Sequence, residues 1–441
     1  MKHVLLMIAM ISLAPDVNAA YKETMDPDGL TKNLQTDFGL VDDNAKTNQS
    51  ELLQKAINEV SSQGGGRLIM PKGTYRFAGV CLNSNVHLLI EKDTVIKPYW
   101  PKGEKVGVFS LTLCTESKRD SKSLEGHIEN VSIRGLGGSF IIDYSDYGRN
   151  TPGGIRAINC RQVKNFLLSD IYIKDSWTTY SAVIFTPARA KDAREWEVFR
   201  PTDGLVKNLK STNSSSGYGL VQMHAGESIH FENLSTTNGG VTFRLETGAG
   251  GENGGIDNIT AKNIYCENGM TAVLLGPHKS QNGVVKIDGV IAKSCATGAQ
   301  MGPGFIEKRN MDNPNYKQGR FADGTTIKNV HVIFGTNAPI ALKALGNVPE
   351  EYLKDLRWEN TGNNRLRGPS IAAVRNSTGD SWNPIIENVT SEGFKYNGGI
   401  VIGEKTKRVN WRQFLKGYPV LDDIPADPRK RMKKDESKKK K

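Results

Sequence analysis

Residues able to do acid–base chemistry recur at matching points in the central part of the chain. In the segment Thr-Phe-Arg-Leu-Glu at 242–246, two apolar side chains alternate with Arg244 and Glu246. Such alternation is typical of a β-strand, whose successive side chains point to opposite faces, so Arg244 and Glu246 should share the outward face. Neighbouring segments present further polar groups outward: Gln222, His224 and His278. This set could bind an anionic polymer and transfer a proton to it.

A repeat of short strands indicates how these side chains are positioned. Asn208, Asn233 and Asn258 are 25 residues apart, and each lies in a short apolar strand pattern. A fixed period of this size indicates stacked coils. We therefore predict an all-β fold, a right-handed parallel β-helix with an N-terminal capping helix, in which the Asn amides of successive coils hydrogen-bond in a ladder. The alternative is an antiparallel sandwich, but sandwiches turn every 8–12 residues or so, and these units are longer.

The segment before the repeats predicts a cap for the open end of the core. Residues 48–60 carry apolar side chains at helical spacing, and Ser50 or Asn48 is expected to cap this helix. A Gly-rich turn and the strand Pro-Lys-Gly-Thr-Tyr at 71–75 follow. Together they resemble the opening of the pectin-lyase-like parallel β-helix proteins, in which a helix covers the first coil.

The termini and the charge distribution bound the organisation of the chain. Residues 1–19 combine Lys2, an apolar stretch and a small-residue end, which predicts a secretory signal peptide and an exported, soluble protein without a membrane span. Residues 20–420 are expected to form one β-helix domain. Residues 421–441 are expected to be a basic, disordered tail, whose last part, 429–441, contributes +7 to the net charge of +11. Export and the absence of a folded basic module disfavour nucleic-acid binding.

Five cysteines, an odd number without CxxC spacing, argue against a metal site or a disulfide framework. Cys266 and Cys295 could stack in adjacent coils as buried thiols, and a disulfide between them is the alternative. No metal and no cofactor is expected.

Counting from the repeated Asn residues predicts the neighbours of Glu246. Gln222 lies 14 residues after Asn208 and Glu246 lies 13 after Asn233, so the two should be adjacent across the ladder, about 4.8 Å apart. The same count puts His224 in phase with Gly248. The imidazole of His278 should lie just beyond the strand of the next coil.

Four central segments carry a family resemblance: Arg-Leu-Glu-Thr at 244–247, Gly-Ile-Asp-Asn-Ile at 255–259, Ala-Val-Leu-Leu-Gly-Pro-His at 272–278 and Gly-Phe-Ile-Glu at 304–307. They resemble the central coils of glycoside hydrolase family 82, the iota-carrageenases, which cleave the β-1,4 bonds of a sulfated red-algal galactan with inversion. The resemblance implies that Glu246 is the general acid, with a raised pKa so that it can donate a proton. It also implies that Gln222 and His278 lie in or beside the cleft. We expect Arg244 to bind sulfate through its planar fork and His224 to contact substrate.

One departure from the family pattern concerns the general base. The family's strand continues as Glu-Thr-Asp, with the Asp as the base, whereas this chain has Gly248. Glu307 is our first choice for the missing base, and Glu252 and His224 are alternatives. Weak or absent catalysis is the remaining possibility.

Proteins with the same fold but other functions have different sequence motifs. The motifs of galacturonan hydrolases are absent from the sequence, and no outward Asp cluster suggests the Ca²⁺ site of a pectate lyase, so a lyase is the weaker enzymatic alternative. A secreted glycan-binding solenoid with a degenerate site is the non-enzymatic one. The expected partner is a sulfated polysaccharide, and the protein is expected to be monomeric.

Overall fold

The computed structural model describes residues 21–100, 106–114, 126–147, 154–188, 199–247, 255–359, 365–403 and 409–426. The signal peptide predicted at 1–19 lies outside these residues. So do Gly248, Glu252 and the basic run from 427 onward. In the part that is described, no helix is long and apolar enough to cross a membrane.

Strands are the main secondary structure of the described residues, and helices are few and short. The N-terminal strands are β1 (Thr31–Asn33), β2 (Gly66–Met70), β3 (Thr74–Phe77), β4 (Val80–Cys81), β5 (Val86–Glu91), β6 (Val95–Pro98), β7 (Val106–Leu111), β8 (Ile128–Leu136), β9 (Phe140–Asp143) and β10 (Ile155–Cys160). The central strands are β11 (Val163–Lys174), β12 (Val183–Phe185), β13 (Thr202–Thr212), β14 (Gly219–Met223), β15 (Ala225–Thr237), β16 (Val241–Glu246), β17 (Gly255–Glu267), β18 (Thr271–Gly276), β19 (Gln281–Asn282) and β20 (Val285–Lys293). The C-terminal strands are β21 (Thr297–Met301), β22 (Arg320–Phe321), β23 (Thr326–Ile333), β24 (Ala338–Ile340), β25 (Arg357–Glu359), β26 (Arg365–Gly368), β27 (Ala372–Asn376), β28 (Ile385–Glu392) and β29 (Ile400–Ile402).

Two parallel sheets wind around one core. The long-strand sheet runs β1-β2-β5-β8-β11-β13-β15-β17-β20-β23-β28, and the short-strand sheet runs β4-β7-β10-β12-β14-β16-β18-β21-β27-β29. From β10 to β18 the chain alternates between the two sheets, so each of these coils adds one strand to each, whereas β3, β6 and β9 pair in a separate run of the long-strand sheet. Parallel crossovers of this kind are right-handed. The predicted right-handed parallel β-helix is confirmed.

Asn residues in left-handed backbone conformation bend each long strand. Asn208, Asn233 and Asn263 have φ between 55° and 58°, a region that Asn tolerates better than most residues. The Asn233 amide donates to Asn208 at 2.9 Å, and the Asn263 amide donates to Asn233 at 3.0 Å. The predicted ladder therefore exists.

The position of Asn258 in that ladder is wrong. Asn258 donates instead to the Ser228 hydroxyl at 3.0 Å, in a second column five residues earlier in each coil. The coil between Asn233 and Asn263 is longer because eight residues separate β16 from β17, whereas one separates β14 from β15. Two Asn residues with the expected spacing in the sequence can therefore belong to different columns.

Helix α1 (Ser50–Ser62) covers the first coil, as the sequence predicts, with Leu53, Ala56, Ile57 and Val60 buried. The expected cap is wrong. Gln49 occupies the N-cap position and makes no capping side-chain bond. Its amide instead exchanges hydrogen bonds with the backbone of Val41 at 2.8 and 2.9 Å, which ties the helix start to the preceding loop.

A second, smaller core lies beside the C-terminal coils. The antiparallel strands β24, β26 and β25, with helices α2 (Trp411–Phe414) and α3 (Val420–Asp423), enclose buried residues that include Leu353, Leu366 and Leu415. Val420 and Ile424 are buried in the same cluster. The chain is thus packed up to residue 424, inside the start of the segment that the sequence assigns to the tail.

The cysteines divide into one bonded pair and three thiols. Cys81 and Cys114 form a disulfide, a bond that the sequence argument against a disulfide framework misses. An odd number of cysteines does not exclude a single bridge, and this one joins the end of β4 to the segment that follows β7. Cys160, Cys266 and Cys295 are buried and free. The stacked-thiol alternative for Cys266 and Cys295 is therefore confirmed.

A buried carboxyl group holds the turn that follows β11. One oxygen of Asp175 accepts hydrogen bonds from the Ser176 and Thr178 amides, at 2.6 and 3.0 Å, and from the Thr178 hydroxyl at 2.8 Å. Burial raises the pKa of Asp175 to about 7, against these hydrogen bonds. The folded protein therefore binds a proton here that the unfolded chain releases near its ordinary pKa of 3.8.

We expect Asp175→Asn to stabilise the protein at pH 8 but not at pH 4. Because the folded pKa is raised, the stability that this group contributes is complete below pH 3.8 and declines as the pH rises through about 7. The Asn amide oxygen can accept the same three bonds without charge, so the gain at pH 8 should be on the order of 2–4 kcal/mol. Urea unfolding at both pH values measures it. Asp143→Asn is the matched control, since Asp143 holds a similar turn through Ser145 at the surface. An equal effect of the two substitutions at pH 8 would contradict the prediction.

Candidate active site

The outward face of the short-strand sheet brings the predicted polar residues together. Its ladder places Gln222 opposite Arg244, so His224, two residues further on, is in phase with Glu246. On the other side Glu246 pairs with Gly276, and His278 follows two residues later. The predicted group is thus assembled on one face. The prediction that Gln222 lies opposite Glu246 is wrong by two residues.

The connections between the two sheets, which we call corners, differ in length, and this difference causes the two-residue shift in the pairing. The connection from β13 to β14 has six residues, 213–218, whereas that from β15 to β16 has three, 238–240. Counting from the Asn residues assumes equal connections. The step between opposite residues of β14 and β16 is therefore 22 residues instead of 25. As a consequence, His224 is in phase with Glu246, two residues before the position that the sequence predicts.

Glu246 is held between a guanidinium and an imidazole. One of its carboxylate oxygens contacts Arg244 Nη2, and the other lies 3.3 Å from His278 Nε2. The Glu246 side chain is 17% exposed. Burial raises its pKa, but the His278 hydrogen bond and the positive charge of Arg244 outweigh burial, so the pKa lies below its ordinary value. The predicted rise in the pKa of Glu246 is therefore wrong, and the carboxyl group is ionised at neutral pH.

His224 is a buried, neutral imidazole on the same face. Its Nδ1 lies 2.8 Å from the backbone carbonyl of Glu246. A carbonyl can only accept, so Nδ1 carries the proton and Nε2 keeps a lone pair. Burial lowers the pKa of His224, against the neighbouring carboxylate. The ring can therefore accept a proton at Nε2, at neutral pH.

Gln222 is oriented by the preceding coil. Its amide oxygen accepts a hydrogen bond from the Ser181 hydroxyl at 3.2 Å, and its side chain is buried. An amide also carries an NH2 donor, and Gln222 lies opposite Arg244 across the ladder. Gln222 can thus bind an oxygen atom of a ligand beside Arg244.

Glu307 lies next to the site, tied to two cations. Lys279 Nζ is 2.6 Å from one carboxylate oxygen, and Arg309 Nη2 is 2.8 Å from the other. The hydrogen bond from Lys279 lowers the pKa of Glu307. Since Lys279 follows His278 in the chain, Glu246 and Glu307 contact consecutive residues. Gly248 and Glu252, the remaining positions in the question of the base, lie outside the described residues.

An aromatic ring completes this side of the site. Phe305 is 39% exposed, and its ring centroid lies 5.5 Å from that of His278. The Phe305 amide donates to the His278 carbonyl at 2.7 Å, which fixes the two residues together. An exposed aromatic face beside polar groups is suited to packing against a sugar ring. Sequence reasoning used this segment for the resemblance but did not single out Phe305.

On the opposite side, sequence reasoning missed three further residues. Tyr218 packs under the Arg244 guanidinium, 5.7 Å from ring centroid to Cζ. Tyr180 and Arg156 continue this contact towards β10. The sequence does contain a signal for the two tyrosines. Ile184 and Gln222 are paired across the ladder, and a tyrosine lies four residues before each of them. The unequal coil lengths conceal it from a search at a fixed period.

The arrangement combines an anion-binding group with groups that transfer protons. Arg244 offers a planar fork for an anionic ester, and the Glu246 carboxyl group and the His224 imidazole, which directly follows β14, are in phase and can both exchange protons. The outward face of the short-strand sheet, which we call the floor of the site, continues from strand to strand along the solenoid axis. The site therefore suits a long polymer. Within the described residues, no three His, Cys, Asp or Glu side chains gather where they could hold a metal ion.

Comparison with known proteins places the chain among enzymes of one family. No protein-family model matches it. An iota-carrageenase of Zobellia galactanivorans is 37% identical over 323 residues, covering 69% of this chain and 60% of that protein. An iota-carrageenase of Alteromonas macleodii is 32% identical over 281 residues, covering 62% of this chain and 53% of that protein. The chain thus spans somewhat more than half the length of these curated relatives.

Solved structures agree over nearly the whole chain. A 1,3-α-1,4-β-D-galactose-4-sulfate-3,6-anhydro-D-galactose-2-sulfate 4 galactohydrolase superposes with a TM-score of 0.77 at 27% identity, covering 89% of this chain and 95% of that one. An iota-carrageenase complexed to iota-carrageenan fragments gives 0.77 at 25% identity, with the same coverage. The family 82 iota-carrageenase from A. fortis gives 0.76 at 25%, covering 90% and 96%. In fold, in central coils and in sequence, the chain belongs to glycoside hydrolase family 82.

Proposed function

We propose that this protein is a secreted glycoside hydrolase that cleaves the β-1,4 linkages of a sulfated galactan, iota-carrageenan, with inversion. The observation that carries the proposal is the carboxyl group of Glu246, held by Arg244 and His278 on the floor of the short-strand sheet. The names of the relatives support the choice of carrageenan, and family membership supports inversion. The apolar segment at 1–19 and the Cys81–Cys114 disulfide support an oxidising, extracytoplasmic location.

The proton on Glu246 must be supplied before the glycosidic oxygen can leave. In the structure the hydrogen bond from His278 and the positive charge of Arg244 together keep the pKa of Glu246 low and its carboxylate ionised. A sulfate ester that pairs with Arg244 would draw the guanidinium away and cancel its charge. The pKa of Glu246 would then rise under the influence of burial, so that the bound substrate converts it into a proton donor. His278 would orient the carboxyl group from the other side.

The water that attacks the anomeric carbon needs a proton acceptor, and we propose His224 for this role. Its Nε2 carries a lone pair, its ring is neutral, and it lies in phase with Glu246, directly after the neighbouring strand β14. Glu307, the choice from sequence, is the alternative. Its two cationic partners lower its proton affinity, which makes it the weaker base.

Hydrolysis is tested by incubating the purified full chain with iota-, kappa- and lambda-carrageenan and with polygalacturonate. We expect reducing ends from iota-carrageenan with no absorbance from unsaturated products, and proton NMR should show an inverted anomeric centre first. Unsaturated products would indicate a lyase. Activity on polygalacturonate with none on any carrageenan would reject the substrate, and a retained anomeric configuration would reject the mechanism.

A glycan-binding solenoid without catalysis is the second candidate, and Gly248 is the observation that favours it. If this reading is right, the chain binds iota-carrageenan in affinity electrophoresis but releases no reducing ends over background. The same assay therefore decides between the two functions.

Removing the charge of Arg244 should move the pH dependence of kcat/KM. Because kcat/KM depends on the protonation of the general acid in the free enzyme, the limb of the pH profile that Glu246 sets moves with its pKa. We expect Arg244→Gln to raise that pKa and shift the limb to higher pH, with lower activity overall because sulfate binding is lost. Arg244→Lys keeps the charge and should leave the limb near its wild-type position. A limb that stays unmoved in Arg244→Gln would contradict the proposed coupling.

A further inference from the structure

A continuous column of cations and aromatic rings leads away from Glu246 along the floor. Arg156 Cζ lies 4.5 Å from the Tyr180 ring centroid, the Tyr180 and Tyr218 centroids are 6.0 Å apart, and Arg244 Cζ lies 5.7 Å from the Tyr218 centroid. We call these four residues the Arg–Tyr column. They belong to four consecutive coils of the short-strand sheet.

Tyr180 is held in place by a glycine. A Cβ atom at Gly154 would lie 1.4 Å from the Tyr180 ring, so only glycine at this position lets the ring lie against the backbone. Burial of the Asp175–Thr178 turn fixes the start of the segment that carries Tyr180. The ring is therefore set before any ligand arrives, and it supports the Arg156 guanidinium.

Arg156 has no carboxylate partner among the described residues. Its Nε is buried without a hydrogen bond. Burial lowers the pKa of Arg156, and the other charged side chain that affects it, Arg161, is also a cation. Glu246 compensates the charge of Arg244, whereas no carboxylate of the described residues compensates that of Arg156. A partly buried guanidinium whose charge is not compensated by a carboxylate favours the binding of an anion from outside the chain.

The distance between the two arginines sets what such an anion belongs to. Strand β10 is three strands from β16, so their backbones are roughly 14 Å apart along the floor. That is longer than one sugar ring. An anionic group on Arg156 would thus belong to another sugar unit of the chain that Arg244 contacts.

We propose that Arg156 binds a sulfate ester of the polysaccharide on a sugar unit remote from the cleaved bond, with Tyr180 as its positioning residue. This inference rests on the proposed function and adds a binding subsite on the β10 side of Glu246. Its contribution is made to the ground state and the transition state alike, so it should lower KM without changing kcat.

The test measures the affinity of iota-carrageenan oligosaccharides for the Glu246→Gln protein by calorimetry, with and without Arg156→Gln. We expect Kd to rise about 10- to 100-fold, since a hydrogen-bonded charge is lost, and the dependence of Kd on salt to weaken. Arg357→Gln, on the antiparallel sheet of the second core, is the matched control and should bind normally. In the active enzyme Arg156→Gln should raise KM similarly and leave kcat within about twofold.

Positioning by Tyr180 is tested in the same way. Tyr180→Leu removes the aromatic face and should weaken binding in part, whereas Tyr180→Phe should restore it. If Arg156→Gln lowers the melting temperature, Arg156→Lys keeps a cation and should bind better than Arg156→Gln. Equal Kd values for Arg156→Gln and Arg357→Gln would overturn the inference. Failure of the proposed function would give a different result. The wild type would then bind the oligosaccharides without cleaving them, and the effect of Arg156→Gln on Kd could still be measured.

Discussion

We expect the Glu246→Gln variant to lose turnover of iota-carrageenan by about 10²–10⁴-fold or more while its affinity for the polymer stays close to wild type. Gln has nearly the same shape and can still contact Arg244 and His278, but it has no proton to donate. Binding is expected to persist because the anion-binding side chain, Arg244, is unchanged. Initial rates of reducing-end release and calorimetric affinities measure the two quantities separately.

The control for this variant is Glu387→Gln. Glu387 pairs with Lys328 at 2.8 Å on the long-strand sheet, so its loss removes an ion pair of similar type away from the floor. Its activity should equal that of the wild type. Substantial turnover in Glu246→Gln would mean that another group protonates the leaving oxygen. Loss of affinity together with turnover would show that Glu246 is needed to organise Arg244 instead.

We expect His224→Asn to lower kcat by about 10²–10⁴-fold and Glu307→Gln to change it only a few-fold. Asn can still donate to the Glu246 carbonyl in place of Nδ1, but it offers no lone pair where Nε2 was. Glu307 is already paired with Lys279 and Arg309. Its loss should therefore destabilise the loop and have little effect on the rate of the chemical step. Single-turnover rates on oligosaccharides separate chemistry from product release.

The reverse pattern would identify Glu307 as the base and refute the assignment to His224. If both variants keep full activity, the acceptor lies in the segment that includes Gly248 and Glu252. The sequence alone gives an expectation for that case: an enzyme that lacks its base at 248 should be slow, and Gly248→Asp should accelerate it.

Local patterns were enough to predict the fold. Alternation within short strands, the Asn residues and the amphipathic segment at 48–60 each report a property of one coil or one helix. What they did not determine was the length of each coil. Asn258 shows the reason, since it has the expected spacing from Asn233 and yet bonds to Ser228.

The composition of the site was predictable, but its pairing and charge were not. Arg244 and Glu246 share a strand, so their common face follows from a period of two. The neighbours of Glu246 depend on how many residues the corners absorb, and this placed Gln222 two residues away. The pKa of Glu246 depends on the balance between burial and two cationic contacts, which no sequence pattern reports. Arg156 and Tyr180 come together through Gly154, whose role is visible only in three dimensions.

The unequal corners before β14 and β16 have an evolutionary consequence. The Asn columns and the interior hold each long strand in register whatever the corner contains, so the corner at 213–218 can gain or lose residues cheaply. Adding or deleting two residues there would keep every side chain on its own face. It would nevertheless give Glu246 a new partner across the ladder. Specificity in such a solenoid can therefore diverge through insertions and deletions without any substitution at the floor, and a protein engineer can exchange catalytic neighbours by editing one surface turn.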